Sequence, residues 1–112
     1  MKIVIAPNAL KGCLTAAEAA GALTRGVARA SPDSDIVPVP VADGGDGLTE
    51  VLVSALHGVE RTALVTGPLG DPASASFCYV PARQLAAIEM ATASGLALLT
   101  KERLNPLLTT TR

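Results

Sequence analysis

Val41-Ala42-Asp43-Gly44-Gly45-Asp46-Gly47 carries a short apolar run into a helical pattern through three glycines and two carboxylates. Glycine has no Cβ, so the backbone can turn sharply there and a ligand can come close to its N–H groups. A helix that begins directly after such a turn presents unpaired N–H donors and the positive end of its dipole, which together favour an anion such as phosphate or a carboxylate. Asp43 and Asp46 bring negative charge to the same place, which suits a hard cation such as Mg²⁺ or a proton acceptor. The same residues also describe an ordinary loop in which glycine makes the turn and an aspartate caps the helix.

Upstream, Lys2 to Ala6 is a β-branched run bounded by Pro7, the pattern of a strand buried on both faces of a parallel sheet. Thr15 and Glu18 stand at the S/T-x-x-E spacing of a capping box and predict a helix start. Ala16, Ala20, Leu23 and Val27 recur at helical spacing opposite Glu18, Arg25 and Arg29, so the helix is expected to lie on a sheet and to end near Ser31-Pro32-Asp33. Asp35 to Ala42 is a second extended run, in which Pro38 and Pro40 are tolerated only where no neighbour needs their missing N–H groups. Past the glycines, Leu48, Val51, Leu52 and Ala55 predict a second helix over 48–56, with Gly58 as its left-handed cap and His57 as a surface partner of the last carbonyls. Two βα units in succession imply parallel strands joined by right-handed crossovers.

After Gly58 the period changes to two. Arg61–Thr66 and Ser74–Val80 read as half-exposed strands, and the turn formers of Gly67-Pro68-Leu69-Gly70-Asp71-Pro72 join them as a hairpin or a wide antiparallel connection. Leu85–Met90 reads as a third strand with Glu89 embedded in it. A buried carboxylate is costly unless paired, so Glu89 requires a structural or a functional partner. Thr92-Ala93-Ser94-Gly95 reads as a small-residue turn, Lys101-Glu102-Arg103 as a solvated charge run, and Asn105-Pro106 as the entrance to a further helix. Nothing terminates that last element, which points to a longer whole.

A chain of 112 residues holds one domain or part of one, and its mean hydropathy of +0.42 with 2% aromatics predicts a core of small side chains. Nine basic against ten acidic residues, without a basic cluster, offer no footprint for nucleic acid or an anionic membrane surface. The apolar run at the N-terminus is too short for a signal peptide, and Cys13 and Cys78 lack CxxC or His-rich company, so a reducing, cytoplasmic location is expected. No GxxxxGK[ST] phosphate loop is present, and Gly45-x-Gly47-x-x-Glu50 is only a near miss to a dinucleotide fingerprint. The single histidine argues against a hydrolase triad within the chain.

Five ordered segments carry a more specific signal. I-A-P-N-A-L-K-G-C-L-T-A (5–16), P-V-A-D-G-G-D-G (40–47), V-T-G-P-L-G (65–70), I-E-M-A-T-A-S-G-L (88–96) and N-P-L-L-T-T-T (105–111) together resemble the N-terminal part of a type 1 glycerate kinase. The resemblance implies an α/β fold with two domains. Residues 1–66 would be the N-terminal part of a Rossmann-like α/β domain, a parallel βαβα start, and 67–112 would open a second, inserted α/β domain with a mostly β segment; the chain would be incomplete relative to the family. It also implies transfer of the γ-phosphoryl group of ATP, with Mg²⁺, to a hydroxyl of D-glycerate. The fragment alone is expected to be inactive and to need the remainder of the kinase or a second copy; the alternative is a non-catalytic α/β module that binds an anion or a partner. Phosphoryl transfer needs a cation near the phosphates, a carboxylate for Mg²⁺ or the hydroxyl proton, and backbone donors. On that basis Lys11 and Asp43 are the catalytic candidates, Gly44, Gly45, Gly47, Ser94, Gly95, Thr109 and Thr110 the substrate- or phosphate-binding candidates, and Asp43 with Asp46 the metal candidates. The family often carries Asp-Ser-Phe-Lys-Gly-Ser where this chain has Asn8-Ala9-Leu10-Lys11-Gly12-Cys13, so no catalytic role is assigned to position 8.

Overall fold

The structure, a computed structural model, describes residues 1–108. The chain forms two compact units, Met1–Asp43 and Gly44–Arg112.

In the first unit, β1 (Lys2–Ile5), α1 (Ala16–Ala30) and β2 (Asp35–Pro38) make one βαβ crossover. The strands are parallel, in register from Lys2 opposite Asp35 to Ile5 opposite Pro38. The second strand was expected to reach Ala42, and the regular ladder stops at Pro38, opposite Ile5 where β1 ends. Sheet-like bonding nevertheless runs on, from Val39 N to the Ile5 carbonyl at 2.7 Å and from Val41 N to the Pro7 carbonyl at 3.0 Å. Asp35, Val39 and Val41 direct their N–H groups at the β1 side. Both prolines occupy the alternate positions, where no donor toward β1 is required.

α1 begins as its sequence predicts. Thr15 accepts from Glu18 N at 3.2 Å while the Glu18 carboxylate accepts from Thr15 N at 2.8 Å, so each residue satisfies the other's orphan donor. The buried face is Ala16, Ala19 and Ala20, which lets the helix lie close to the sheet beside Ile5. Leu23, expected inward, is 51% exposed. β1 departs in the same sense, since Val4 is 59% exposed and Ile5 only 6%. One helix covers one face of a two-stranded sheet, so only alternate strand residues are buried.

The second unit contains α2 (Leu48–Leu56), β3 (Val59–Thr66), β4 (Pro72–Val80), β5 (Leu85–Ile88) and α3 (Met90–Ser94), followed by 3-10 turns at Leu96–Leu98, Lys101–Arg103 and Pro106–Leu108. The three strands form an antiparallel sheet in the order β3-β4-β5, and α2 and α3 pack on β4. Ala75, Cys78 and Val80 of β4 supply the buried apolar residues. The hairpin forms as the period of two predicts, with Thr66 opposite Pro72 and the loop closed from Gly67 N to the Asp71 carbonyl at 2.7 Å. The 66/67 division drawn from the sequence falls at the mouth of this loop, and the β3-β4 ladder holds residues from both sides of it in one unit.

Three local expectations are corrected. The third strand ends at Ile88 rather than Met90, because Glu89 becomes the cap of α3 and Thr92 N turns back toward its carbonyl at 3.3 Å. Thr92–Gly95 is accordingly the body and end of a short helix, not a turn. The left-handed residue closing α2 is His57, with φ 51°, and not Gly58. Gly58 is glycine for a different reason: a Cβ there would lie 2.5 Å from Cys78 Sγ and 3.2 Å from the Tyr79 carbonyl oxygen. At the chain's far end Leu107 N bonds to Asn105 Oδ1 at 3.0 Å, the capping role expected of that asparagine.

Candidate functional site

In the first unit, Lys11 and Asp43 are both exposed, and each follows the carboxyl end of a parallel strand. That edge is where open α/β sheets bind ligands, because the loops there connect strand ends to helix starts. Lys11 sits in a tight turn closed by Leu10, whose carbonyl accepts from Cys13 N at 2.8 Å and Leu14 N at 3.0 Å.

In the second unit the glycine loop leads into α2. Gly44 and Gly47 have φ of +97° and +91°, left-handed values that a side chain would strain. Gly47 is itself the cap residue of α2 and has no side chain with which to cap it. Asp46, expected as a cap, makes no such bond and is exposed. The cap comes instead from Glu89, 42 positions further along the chain: its Oε1 accepts from Gly47 N at 3.1 Å and its Oε2 from Thr49 N at 2.8 Å. Leu48 N bonds to the Gly45 carbonyl at 3.2 Å, so consecutive donors at this helix start are engaged within the protein. The anion that the α2 dipole favours is thus the chain's own carboxylate, 3% exposed. Sequence reasoning identified Glu89 as needing a partner but placed it inside a strand. The missing signal was the glycine in the cap position of α2, which leaves that helix in need of an acceptor from elsewhere.

Glu89 holds a second set of bonds. Its carbonyl accepts from Thr92 Oγ1 at 2.9 Å, and the same hydroxyl reaches the Ser76 carbonyl at 3.1 Å. Gly47, Thr49, Glu60, Ser76, Glu89 and Thr92 line a cleft of about 420 Å³ that is rich in carboxylates and hydroxyls. The Thr49 hydroxyl is buried there without a hydrogen-bond partner among the described residues. Asp46 faces a neighbouring depression with Thr62 and Ser74. Ser94 is exposed at the end of α3, and Gly95 caps that helix through its N–H to the Ala91 carbonyl at 2.8 Å. A Cβ on Gly95 would collide with that carbonyl. Lys11 and Asp43 therefore share the first unit, while Gly44, Gly45, Asp46, Gly47, Ser94 and Gly95 belong to the second. Thr109 and Thr110 lie outside the described residues.

The sequence profile of the glycerate kinase family matches residues 3–112. The chain belongs to the glycerate kinase family. Among its curated relatives, glycerate 2-kinase of Escherichia coli strain K12 is 49% identical over the whole chain, and glycerate kinase of Bacillus subtilis strain 168 is 48% identical over the same length. A crystal structure assigned to glycerate kinase 2 of Salmonella typhimurium LT2 superposes with a TM-score of 0.74 at 43% identity, over 98% of this chain. In each of these three comparisons this chain spans 29% of the relative's length. As a glycerate kinase relative it carries all five ordered motifs, and the second and fourth meet physically through Glu89.

Proposed function

We propose that this sequence contributes the glycine-loop portion of an ATP-dependent glycerate kinase, which transfers the γ-phosphoryl group to a hydroxyl of D-glycerate. Identity of 48–49% over the full chain to proteins named for that activity carries the reading. The chain spans 29% of their length, so in this reading the remaining walls of the catalytic cleft are supplied by the remainder of a kinase polypeptide. No helix of the described residues is long and apolar enough to cross a membrane.

The roles follow the chemistry of each group. Lys11, a mobile point charge on an exposed turn, suits a phosphate or the glycerate carboxylate. Asp43 suits Mg²⁺ or the hydroxyl proton. Among the described residues no three His, Cys, Asp or Glu side chains are grouped to hold a metal. Mg²⁺ characteristically takes one or two carboxylates and completes its shell with water and phosphate oxygens, and the carboxylates of Asp43 and of Asp46 are each a candidate for that role. Bound in that way, the ion would neutralise phosphate charge. Gly44 and Gly45 offer close backbone approach, and Ser94 a hydroxyl. Gly47 shapes the loop, its N–H being engaged by Glu89.

The test is a coupled assay of ATP consumption, with and without D-glycerate and Mg²⁺, on the polypeptide encoded by the complete reading frame that contains this sequence. Lys11→Ala and Asp43→Ala are each expected to lower kcat/KM by about 10²-fold, the scale on which one charge-stabilising group contributes. Unchanged rates in both variants would remove them from the site. Absence of ATP consumption with D-glycerate and Mg²⁺ both present would favour the non-catalytic, anion-binding module.

A further inference from the structure

We infer that Glu89 is the positioning residue of the glycine loop, fixing its junction with α2 at Gly47 and Thr49 from a place 42 positions further along the chain. The inference rests on the kinase reading for its catalytic consequence and on geometry for its physical content. The side-chain cap of α2 does not come from its own cap residue. The loop's two left-handed glycines give the backbone its path, but glycine at the cap of α2 provides no side-chain acceptor, and Asp46 does not stand in. Both oxygens of one buried carboxylate perform that function, one on Gly47 N and one on Thr49 N.

Glu89 can do this because it is itself anchored. It begins α3 with extended backbone, φ −92° and ψ 112°, and its carbonyl is bonded to Thr92 Oγ1, which is tied in turn to β4 through the Ser76 carbonyl. The chain of contacts thus runs from β4 through Thr92 and Glu89 to the start of α2, and α3 ends at the candidate residues Ser94 and Gly95. One side chain thereby couples two glycine-bearing stretches of the unit, 44–47 and 88–96. The chemistry also requires a carboxylate rather than an amide. Two N–H donors converge on two acceptor oxygens, whereas the amide of glutamine has one oxygen, and its NH₂ would face the second donor. Burial makes that mismatch costly because water cannot replace the lost acceptor.

The test combines amide exchange and turnover. In the unaltered chain the Gly47 and Thr49 amides, bonded to a buried carboxylate, should be protected to the same degree as amides of β4. In Glu89→Gln their exchange should accelerate by about tenfold or more, the equilibrium shift of one lost hydrogen bond, with altered Gly44 and Gly45 resonances and unchanged protection in the β3-β4 ladder. In the protein from the complete reading frame, kcat normalised to the folded fraction should fall about tenfold or more, as expected when binding groups are displaced by a fraction of an ångström to 1 Å. Gly47 and Thr49 amides that exchange like exposed loop amides in the unaltered chain would overturn the proposal, and that measurement stands even if the variant fails to fold. A normalised kcat within about twofold of the unaltered protein would overturn it too, since tenfold is the scale that misplacement predicts. Should the unaltered protein show no glycerate-dependent turnover, the kinase reading fails, while the exchange data still decide whether Glu89 holds the loop.

Discussion

Gly58→Ala adds one methyl group at the junction of α2 and β3, and the structure leaves no space for it. The new Cβ would stand 2.5 Å from Cys78 Sγ, 3.2 Å from the Tyr79 carbonyl oxygen and 3.3 Å from Val80 Cγ2. Comfortable non-bonded separation is about 3.5–4.0 Å, so the overlap with the sulfur alone is about 1 Å. Cys78 is fully buried near the end of β4 and cannot swing into solvent, and the Tyr79 carbonyl belongs to the strand itself. Relief requires α2's exit to move away from the sheet, and overpacking of that kind costs about 1–3 kcal/mol. A loss of about 2 kcal/mol lowers Tm by about 8–16 °C in a unit of this size. Urea and thermal denaturation followed by circular dichroism would measure it. The stricter check is Gly58→Ala with Cys78→Ala, which removes the worst contact. Although the cysteine change alone leaves a small cavity, the double variant should be more stable than the sum of the singles by about 1 kcal/mol, a coupling expected of residues in contact. A Gly58→Ala protein within about 0.5 kcal/mol of the unaltered chain, the range of an ordinary surface change, would refute the argument, as would strict additivity.

Thr15→Ala removes one half of a capping box whose two bonds are both present, and should destabilise the first unit by about 1 kcal/mol in chemical denaturation. Gly47→Ala forces a side chain to φ +91° and should cost about 1–2 kcal/mol, measured the same way, although open space surrounds the new methyl. Arg103→Ala should change stability by less than about 1 kcal/mol despite the 2.7 Å ion pair with Asp71, because the partners are 53% and 68% exposed and water screens them; a larger loss would show that the 3-10 turn depends on that pair.

Local rules carried part of the fold directly. The capping box of α1, the crossover between two β-branched runs, the hairpin and the Asn105 cap all depend on interactions within a few residues, and sequence spacing encodes those. The positions of Pro38 and Pro40 were also legible, because a missing donor must alternate away from the neighbouring strand. Boundaries shifted where two local preferences competed: Glu89 and Met90 extend an apolar run, yet helix formation around Ala91–Ser94 ended the strand first. Leu23 and Val4 follow the pattern of buried residues but remain exposed, because periodicity specifies which side faces a partner and not whether a partner covers it.

For the candidate site, the sequence by itself determined which chemistry-bearing residues sit in loops at strand ends: Lys11, Asp43 and the Gly44–Gly47 run. Five ordered motifs fixed their family. It also showed that Glu89 could not stand alone, since burial of a charge demands a partner whatever the fold. Only tertiary structure decided what that partner is. The bond from Glu89 to Gly47 spans 42 positions, and no local propensity encodes a contact of that separation. It depends on β4 bringing α2 and α3 together on one sheet, so that the uncapped start of one helix meets the carboxylate that begins another.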